Sequence, residues 1–223
     1  APSPVVDAKL RVKLQQAACN LASAVGYTNA GTVEFLLGPD NSFYFMEMNT
    51  RLQVEHPVTE LVTGLDLVRL QLEIAAGKEL PFAQSDIKLH GHAIEARLYA
   101  EDAEREFLPM TGEILTLHWP NVPSFRVDSG IERGQEIHAH YDPMLAKLIA
   151  WGPDRTQARV RLRDGLMGSA ILGIITNRDF LIELIESEQY VNAETFTSSV
   201  DDWMKSRTQA PISPELLLAT AVA

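Results

Sequence analysis

The sequence predicts an α+β protein with an antiparallel sheet in its second half. In residues 1 to 83, segments with helical spacing of apolar residues stand on both sides of a pair of apolar, strand-like runs. From residue 90 onwards, short strand-like runs are separated by loops rich in proline, glycine and aspartate, which is typical of antiparallel sheets. Two helical segments after residue 153 complete the predicted pattern.

The first predicted helix covers residues 6–25, where apolar residues recur every three or four positions. Gly26 follows as its C-terminal cap, because glycine tolerates the left-handed conformation that often ends a helix. Two apolar, strand-like runs come next, one over residues 31–37 and one that begins at Phe43 and continues into a polar cluster from Glu47, and a Gly-Pro-Asp-Asn sequence lies between them. This combination predicts a β-hairpin.

Two shorter helices are expected after the hairpin. Pro57 suits the first turn of one helix, Gly64 ends it, and Asp66 caps a second helix that ends near Gly77. The strands and helices predicted beyond this point are strands over residues 92–99, 112–119, 124–128 and 144–151, and helices over residues 154–167 and 179–185. The helix over 154–167 carries four arginines, which we interpret as a solvated face, with a contact between subunits as the alternative.

The hairpin carries two acids, Glu34 and Glu47, and an amide, Asn49. Glu47 and Asn49 share a face because side chains two residues apart on a strand point the same way. If the loop is even, with Leu37 opposite Ser42, Glu34 lies diagonal to Glu47 on that face at roughly 7 Å; an odd loop would separate the acids. Such oxygen ligands suit Mg²⁺ or Mn²⁺. The alternative is a solvated face on which each acid pairs with a lysine or arginine.

Arg51 and Glu55 follow the second strand of the hairpin. A guanidinium beside a carboxylate can hold a small planar anion through two hydrogen bonds while the carboxylate takes a proton from it. A surface ion pair, worth at most ~1 kcal/mol, is the alternative interpretation of the same residues.

Five stretches of the chain resemble biotin carboxylases. They are EMNTRLQVEHPVTELVTGLDLVRLQLEIAAG (47–77), GHAIEARLYAED (91–102), FLPMTGEI (107–114), YDPMLAKLIAWG (141–152) and TNRDFL (176–181). The chain looks most similar to the biotin-bearing subunits of acyl-CoA carboxylases, such as methylcrotonyl- or propionyl-CoA carboxylase. The resemblance implies three parts: the C-terminal part of an ATP-grasp domain (1–83), a mixed, largely antiparallel α+β biotin carboxylase C-terminal domain (84–204), and a tail or linker (205–223).

The resemblance also implies roles for the hairpin residues. Glu34, Glu47 and Asn49 are expected to ligate the Mg²⁺ or Mn²⁺ ions that bridge the phosphates of ATP. Leu36 is expected to touch the adenine.

Further roles follow for the residues after the hairpin. Arg51, Gln53 and the backbone of Val54 are expected to hold bicarbonate, and Glu55 is expected to deprotonate it. Arg97 is expected to stabilise carboxyphosphate and the biotin enolate.

The implied reaction is the carboxylation of biotin on a separate carrier domain, a ligase reaction that uses MgATP and bicarbonate. The implied partners are the carrier domain, a carboxyltransferase subunit and a second copy of the chain. The family's glycine-rich loop and upstream lysines have no counterpart here, so the chain alone is expected to be inactive and to bind ATP poorly. The alternatives are a non-enzymatic module that contacts subunits or the carrier, and another ATP-grasp ligase, which would share the acids but not RLQVEHP.

Composition narrows the classes of partner and compartment. A net charge of −11 argues against nucleic acid and anionic membranes as partners. The single cysteine, Cys19, excludes an intramolecular disulfide, which is consistent with a reducing compartment. The sequence has no run of ~18 apolar residues and no signal-peptide character at its first residues. We therefore expect the cytoplasm, or the mitochondrial matrix in a eukaryote.

Overall fold

The computed structural model describes residues 1–196 and 198–206, which fall into two compact units, Ala1–Glu186 and the described residues from Ser187 onwards. In the first unit the helices are α1 (Ala8–Ala24), α2 (His56–Thr63), α3 (Leu67–Ala75), α4 (Arg155–Gly168) and α5 (Arg178–Glu186). Its strands are β1 (Thr32–Leu37), β2 (Phe43–Asn49), β3 (His92–Tyr99), β4 (Glu101–Asp102), β5 (Leu108–Pro109), β6 (Gly112–Glu113), β7 (Thr116–His118), β8 (Phe125–Ser129), β9 (Glu136–Ile137), β10 (Met144–Gly152) and β11 (Ala170–Leu172). The second unit contains α6 (Glu188–Val191) and α7 (Ser199–Ser206). No helix in the described ranges is both long and apolar enough to cross a membrane.

The predicted helices of the first half are present, and their ends follow from local chemistry. The Asp7 carboxylate accepts a hydrogen bond from the Leu10 amide at 2.7 Å and caps the start of α1. Gly64, with φ +73°, ends α2 in the left-handed conformation. The Asp66 carboxylate accepts from the Arg69 amide at 2.8 Å and starts α3 as predicted.

The hairpin of β1 and β2 has the odd one of the two loop lengths considered from the sequence. Leu37 lies opposite Phe43, so the loop has the odd length that would have separated the two acids. A β-bulge leaves Met46 without a partner and shifts the pairing by one residue, so that Glu34 lies directly opposite Glu47. The bulge nevertheless places both acids on one face, because directly opposite residues share a face.

A three-stranded antiparallel sheet in the order β3-β10-β8 forms the centre of the first unit. Strand β3 has the predicted bounds, β10 ends one residue later than predicted, and β8 is shifted by one residue at both ends. Helix α4 packs on one face of the sheet and α2 on the other. The face towards α4 is apolar and includes the fully buried Leu98 and Leu148. The face towards α2 carries charged side chains and is described below.

The single strand predicted over residues 112–119 is wrong. The chain instead forms β6, which pairs with β9, and β7, which pairs with β11. The change of partner occurs at two adjacent amides: that of Ile114 donates to Gln135 O, and that of Leu115 donates to Leu172 O. Ile114 is fully buried at this crossing point. Alternation of side chains alone does not reveal that a strand changes partner.

The interpretation of the arginines on α4 as a solvated face is wrong for at least two of them. The Arg159 side chain is only 15% exposed, and its Nη1 lies 3.4 Å from both Ile185 O and a Glu186 carboxylate oxygen. Arg161 donates to Trp151 O at 2.8 Å. These long side chains therefore connect α4 to α5 and to β10.

Candidate active site

The acid pair of the hairpin converges on one point at the end of β2. The Asn49 side-chain amide donates to Glu34 Oε1 at 2.7 Å and to Glu47 Oε1 at 3.0 Å. Gln53 Nε2 donates to the same Glu34 oxygen at 3.2 Å. The Asn49 N–H group thus lies between two carboxylates, where a cation would be held, and rotation of the amide would present its oxygen instead. Two acids and an amide oxygen fit the ligand preferences of Mg²⁺ or Mn²⁺.

The cluster consists of two acids and one amide, without a third acid, histidine or cysteine among the described residues. Among residues 1–196 and 198–206, no group of three or more histidine, cysteine, aspartate or glutamate side chains is placed to hold a metal ion. Leu36 lies two residues after Glu34, opposite Tyr44, and both are more than half exposed. The strand pair therefore presents an exposed apolar surface beside the acids.

Arg51 is exposed and held only by neutral oxygens. Its Nη1 donates to Leu52 O at 3.3 Å and to Gln53 Oε1 at 3.4 Å. No ion pair between described residues neutralises this guanidinium. Gln53 connects it to the acid cluster, because the other end of the same amide donates to Glu34.

Glu55 and Arg97 connect the hairpin region to the three-stranded sheet. Arg97 Nη2 donates to Glu55 Oε2 at 2.7 Å. Burial opposes the charge on Arg97, but hydrogen bonds with Tyr99 and Glu55 and the nearby Glu55 charge outweigh it and raise the pKa of the guanidinium. Arg97 therefore faces the residues that follow the hairpin.

Asn177 supports β3 at the point where Arg97 projects from it. Its side-chain amide donates to Arg97 O at 3.2 Å, and its side-chain oxygen accepts from the Tyr99 amide at 2.9 Å. The backbone amide of Asn177 also donates to Tyr99 O at 3.1 Å. Since β3 is an edge strand, this buried asparagine completes hydrogen bonds that a further strand would have made. No role was predicted for Asn177 from the sequence. It lies in the TNRDFL stretch that resembles biotin carboxylases, and that resemblance could have identified it.

A second set of missed residues lies on the sheet face that meets α2. Glu60 on α2 is only 8% exposed and accepts from Arg126 Nη1 at 2.7 Å. Arg126 also donates twice to Asp128, at 2.7 and 2.9 Å. Lys147 Nζ lies 3.3 Å from Asp128 and donates to Val54 O at 3.2 Å. Charged residues within apolar strands were the signal that could have identified this network.

Glu95 lies on the same face and has no hydrogen-bond partner for either carboxylate oxygen, although both oxygens are buried. Burial raises its pKa to about 7, more than the charges of Lys147 and Arg97 lower it, while Glu55 and Asp128 add to the rise. A carboxyl group that gains or loses a proton near neutral pH therefore lies beside the Arg97–Glu55 pair.

Two protein-family models match the chain, one for an ATP-binding domain and one for a second domain. Residues 1–83 match the family model described as the carbamoyl-phosphate synthase L chain, ATP binding domain, and residues 95–202 match the biotin carboxylase C-terminal domain. The chain therefore belongs to the biotin carboxylase family, which confirms the resemblance and the α+β fold class predicted from the sequence.

Similar proteins of known name agree with this family. The mitochondrial methylcrotonoyl-CoA carboxylase subunit alpha of Rattus norvegicus is 44% identical over 225 residues, and the match covers 100% of this chain and 32% of the relative. Biotin carboxylase of Nostoc is 45% identical over 92% of this chain and 46% of its own length. The chain thus spans about a third to just under half of these curated relatives.

A solved structure shows the same fold. It is the biotin carboxylase domain dimer of the 2-oxoglutarate carboxylase of Hydrogenobacter thermophilus, determined in complex with MgADP, ADP and bicarbonate. It superposes with a TM-score of 0.91 at 36% identity and covers 95% of this chain and 47% of that one.

Proposed function

We propose that this chain supplies the metal- and bicarbonate-binding part of an active site that carboxylates biotin with MgATP. The observation that carries the proposal is the continuous arrangement at the end of β2. There, an acid pair bridged by an amide is followed by an arginine that has no carboxylate partner among the described residues, and by a carboxylate paired with Arg97.

Glu34, Glu47 and Asn49 would hold Mg²⁺ or Mn²⁺, which supplies positive charge to the phosphates of ATP. Fixed cations of this kind stabilise the charge that develops during phosphoryl transfer. The exposed Leu36 on the neighbouring strand would contact the adenine.

Arg51, Gln53 and the Val54 backbone would bind bicarbonate, because the Arg51 guanidinium is charged and has only neutral partners. Glu55 would take the bicarbonate proton, which makes the anion a competent nucleophile. Once Glu55 is protonated it no longer forms an ion pair with Arg97. The Arg97 guanidinium is then available to stabilise the negative charge on carboxyphosphate and on the biotin enolate.

The comparisons support this proposal at the level of related proteins. The Hydrogenobacter thermophilus structure is of a dimer and contains MgADP and bicarbonate. We extend the proposal to a biotin carrier domain, a carboxyltransferase subunit and a second copy of the chain as partners. The rat relative is named as mitochondrial and the Nostoc relative is bacterial, so a cytoplasmic or matrix location is proposed.

The test uses the longest natural protein that contains this chain. We expect Arg51→Ala and Glu55→Gln each to reduce biotin-dependent ATP hydrolysis by at least about 100-fold, because each removes a group that acts on bicarbonate. Matched controls are Arg69→Ala and Glu79→Gln, which make the same changes at exposed positions and should leave turnover unchanged.

Two outcomes would contradict the proposal. Near-wild-type turnover in Arg51→Ala or Glu55→Gln would remove these roles. ATP hydrolysis that requires bicarbonate but is unaffected by biotin would instead indicate another ATP-grasp ligase. Circular dichroism of each variant checks that the fold is retained.

A further inference from the structure

Lys147 joins the sheet to the segment that carries Glu55. Its side chain is only 15% exposed, and its ammonium group donates to Val54 O at 3.2 Å. In the sheet, Lys147 is the central residue of a row, with Arg97 opposite it on β3 and Asp128 opposite it on β8. The lysine therefore lies between the arginine that contacts Glu55 and the backbone that precedes Glu55.

The contact at Val54 bears directly on Glu55. The carbonyl of Val54 and the amide of Glu55 belong to one planar peptide unit. A hydrogen bond that fixes this carbonyl therefore restricts the rotation of the peptide from which the Glu55 side chain projects. The next turn is closed by two backbone hydrogen bonds, His56 N to Gln53 O at 3.2 Å and Val58 N to Glu55 O at 3.2 Å. Through its hydrogen bond to Val54 O, the Lys147 side chain connects this turn to β10.

Lys147 is itself held in place by the network on the same face. Asp128 lies 3.3 Å from its ammonium group and accepts two hydrogen bonds from Arg126. Arg126 is anchored in turn on the buried Glu60 of α2. Glu60 also accepts from the Leu67 amide at 2.9 Å, which joins α2 to the start of α3. A chain of charge-assisted hydrogen bonds thus runs from the helices to the Val54 carbonyl.

We propose that Lys147 is a positioning residue that holds the Val54–Glu55 peptide so that the Glu55 carboxylate meets both Arg97 and bicarbonate. The inference rests on the proposed function for the catalytic role of Glu55, but the contact itself does not.

The first test needs no activity and uses the chain itself. Hydrogen–deuterium exchange is compared for wild type, Lys147→Met and Lys147→Arg. Methionine keeps most of the apolar stem and removes the donor, whereas arginine keeps a charged donor. We expect exchange within residues 51–56 to rise about 10-fold in Lys147→Met and to stay within about 3-fold of wild type in Lys147→Arg. Lys78→Met, at a side chain that is 65% exposed, is the matched control.

The second test is kinetic and uses the longest natural protein that contains this chain. Lys147→Met should lower kcat for biotin-dependent ATP hydrolysis about 10- to 100-fold, with the KM for ATP unchanged, because a misplaced base slows the chemical step. If Lys147 acts through Glu55, the same change made in a Glu55→Gln background should have no further effect on kcat. A lysine with only a structural role would instead reduce activity in both backgrounds.

The outcomes distinguish a failure of the positioning role of Lys147 from a failure of the proposed function. Unchanged exchange in residues 51–56 of Lys147→Met would overturn the positioning role, and so would equal losses of kcat in the two backgrounds. A wild-type protein without biotin-dependent ATP hydrolysis would overturn the proposed function and, with it, the catalytic consequence. Increased exchange in such a protein would still support the structural contact.

Discussion

The unpartnered carboxyl group of Glu95 makes the stability of the first compact unit depend on pH. Its pKa is raised from 4.5 to about 7 in the folded chain, mainly because burial disfavours the charged form. Below pH 4.5 both folded and unfolded chains carry the proton, and Glu95 has little effect. Between 4.5 and 7 the unfolded chain loses the proton while the folded chain keeps it, so the free energy of unfolding falls as pH rises. Above pH 7 the buried carboxylate is charged, and the free energy of unfolding is reduced by the full cost of burying that charge.

The perturbation that removes this penalty is Glu95→Gln, since glutamine resembles the protonated acid in shape and carries no charge. A pKa displacement from 4.5 to about 7 corresponds to ~3 kcal/mol at about 1.4 kcal/mol per pH unit. Because the residue as a whole is only half-buried, solvent screening reduces this to about 1–2 kcal/mol. We expect the variant to be more stable than wild type by this amount at pH 8 and nearly equal to it at pH 4.5.

The assay is urea denaturation of wild type and variant at several pH values between 4.5 and 8, followed by circular dichroism. Glu79→Gln is the matched control, because it makes the same substitution at an exposed side chain. A stability difference for Glu95→Gln that does not change with pH would refute the reasoning. So would a variant that is less stable than wild type at pH 8.

Three further predictions concern packing and buried polar groups, and thermal or urea denaturation tests each. Arg126→Met leaves the buried Glu60 carboxylate without its cation and should cost about 2–4 kcal/mol; a cost below about 0.5 would contradict this. Gly165→Ala makes a methyl group overlap the Phe125 ring and should cost about 1–3 kcal/mol, which a smaller residue at 125 should partly recover. Asn177→Ala removes two hydrogen bonds with β3 and should cost about 2–3 kcal/mol, whereas a neutral result would show that water replaces them.

The parts of the fold that local patterns determine were predicted from the sequence. Strand β3 has the predicted bounds because apolar and polar residues alternate along it, and α3 begins after Asp66 because an aspartate there can cap a helix. The hairpin register was not predictable in the same way. Nothing in the sequence around Met46 distinguishes a bulged residue from a regular one, and the bulge decides whether Glu34 faces Glu47.

The candidate site likewise contains a part that the sequence predicts and a part that it does not. Residues 34 to 55 are close in sequence, so their proximity follows from one hairpin and the turn after it. Lys147 lies 93 positions from Val54, and Arg126 lies 66 positions from Glu60. Such pairs depend on how the sheet packs against α2, which local spacing does not specify. Charged residues within otherwise apolar strands indicate only that a strand face is polar, without naming the partner.

The pattern of charge around the site explains how a chain with a net charge of −11 could attract an anion. Arg97, Arg126 and Lys147 are each paired with at least one carboxylate, so they contribute rigidity more than unbalanced positive charge. Arg51 differs, because its described hydrogen bonds go only to neutral oxygens. A small anion at Arg51 would gain a charge-assisted pair without displacing an existing one. Under the proposed function, the network would fix the geometry of the site and the Arg51 guanidinium would attract the anion.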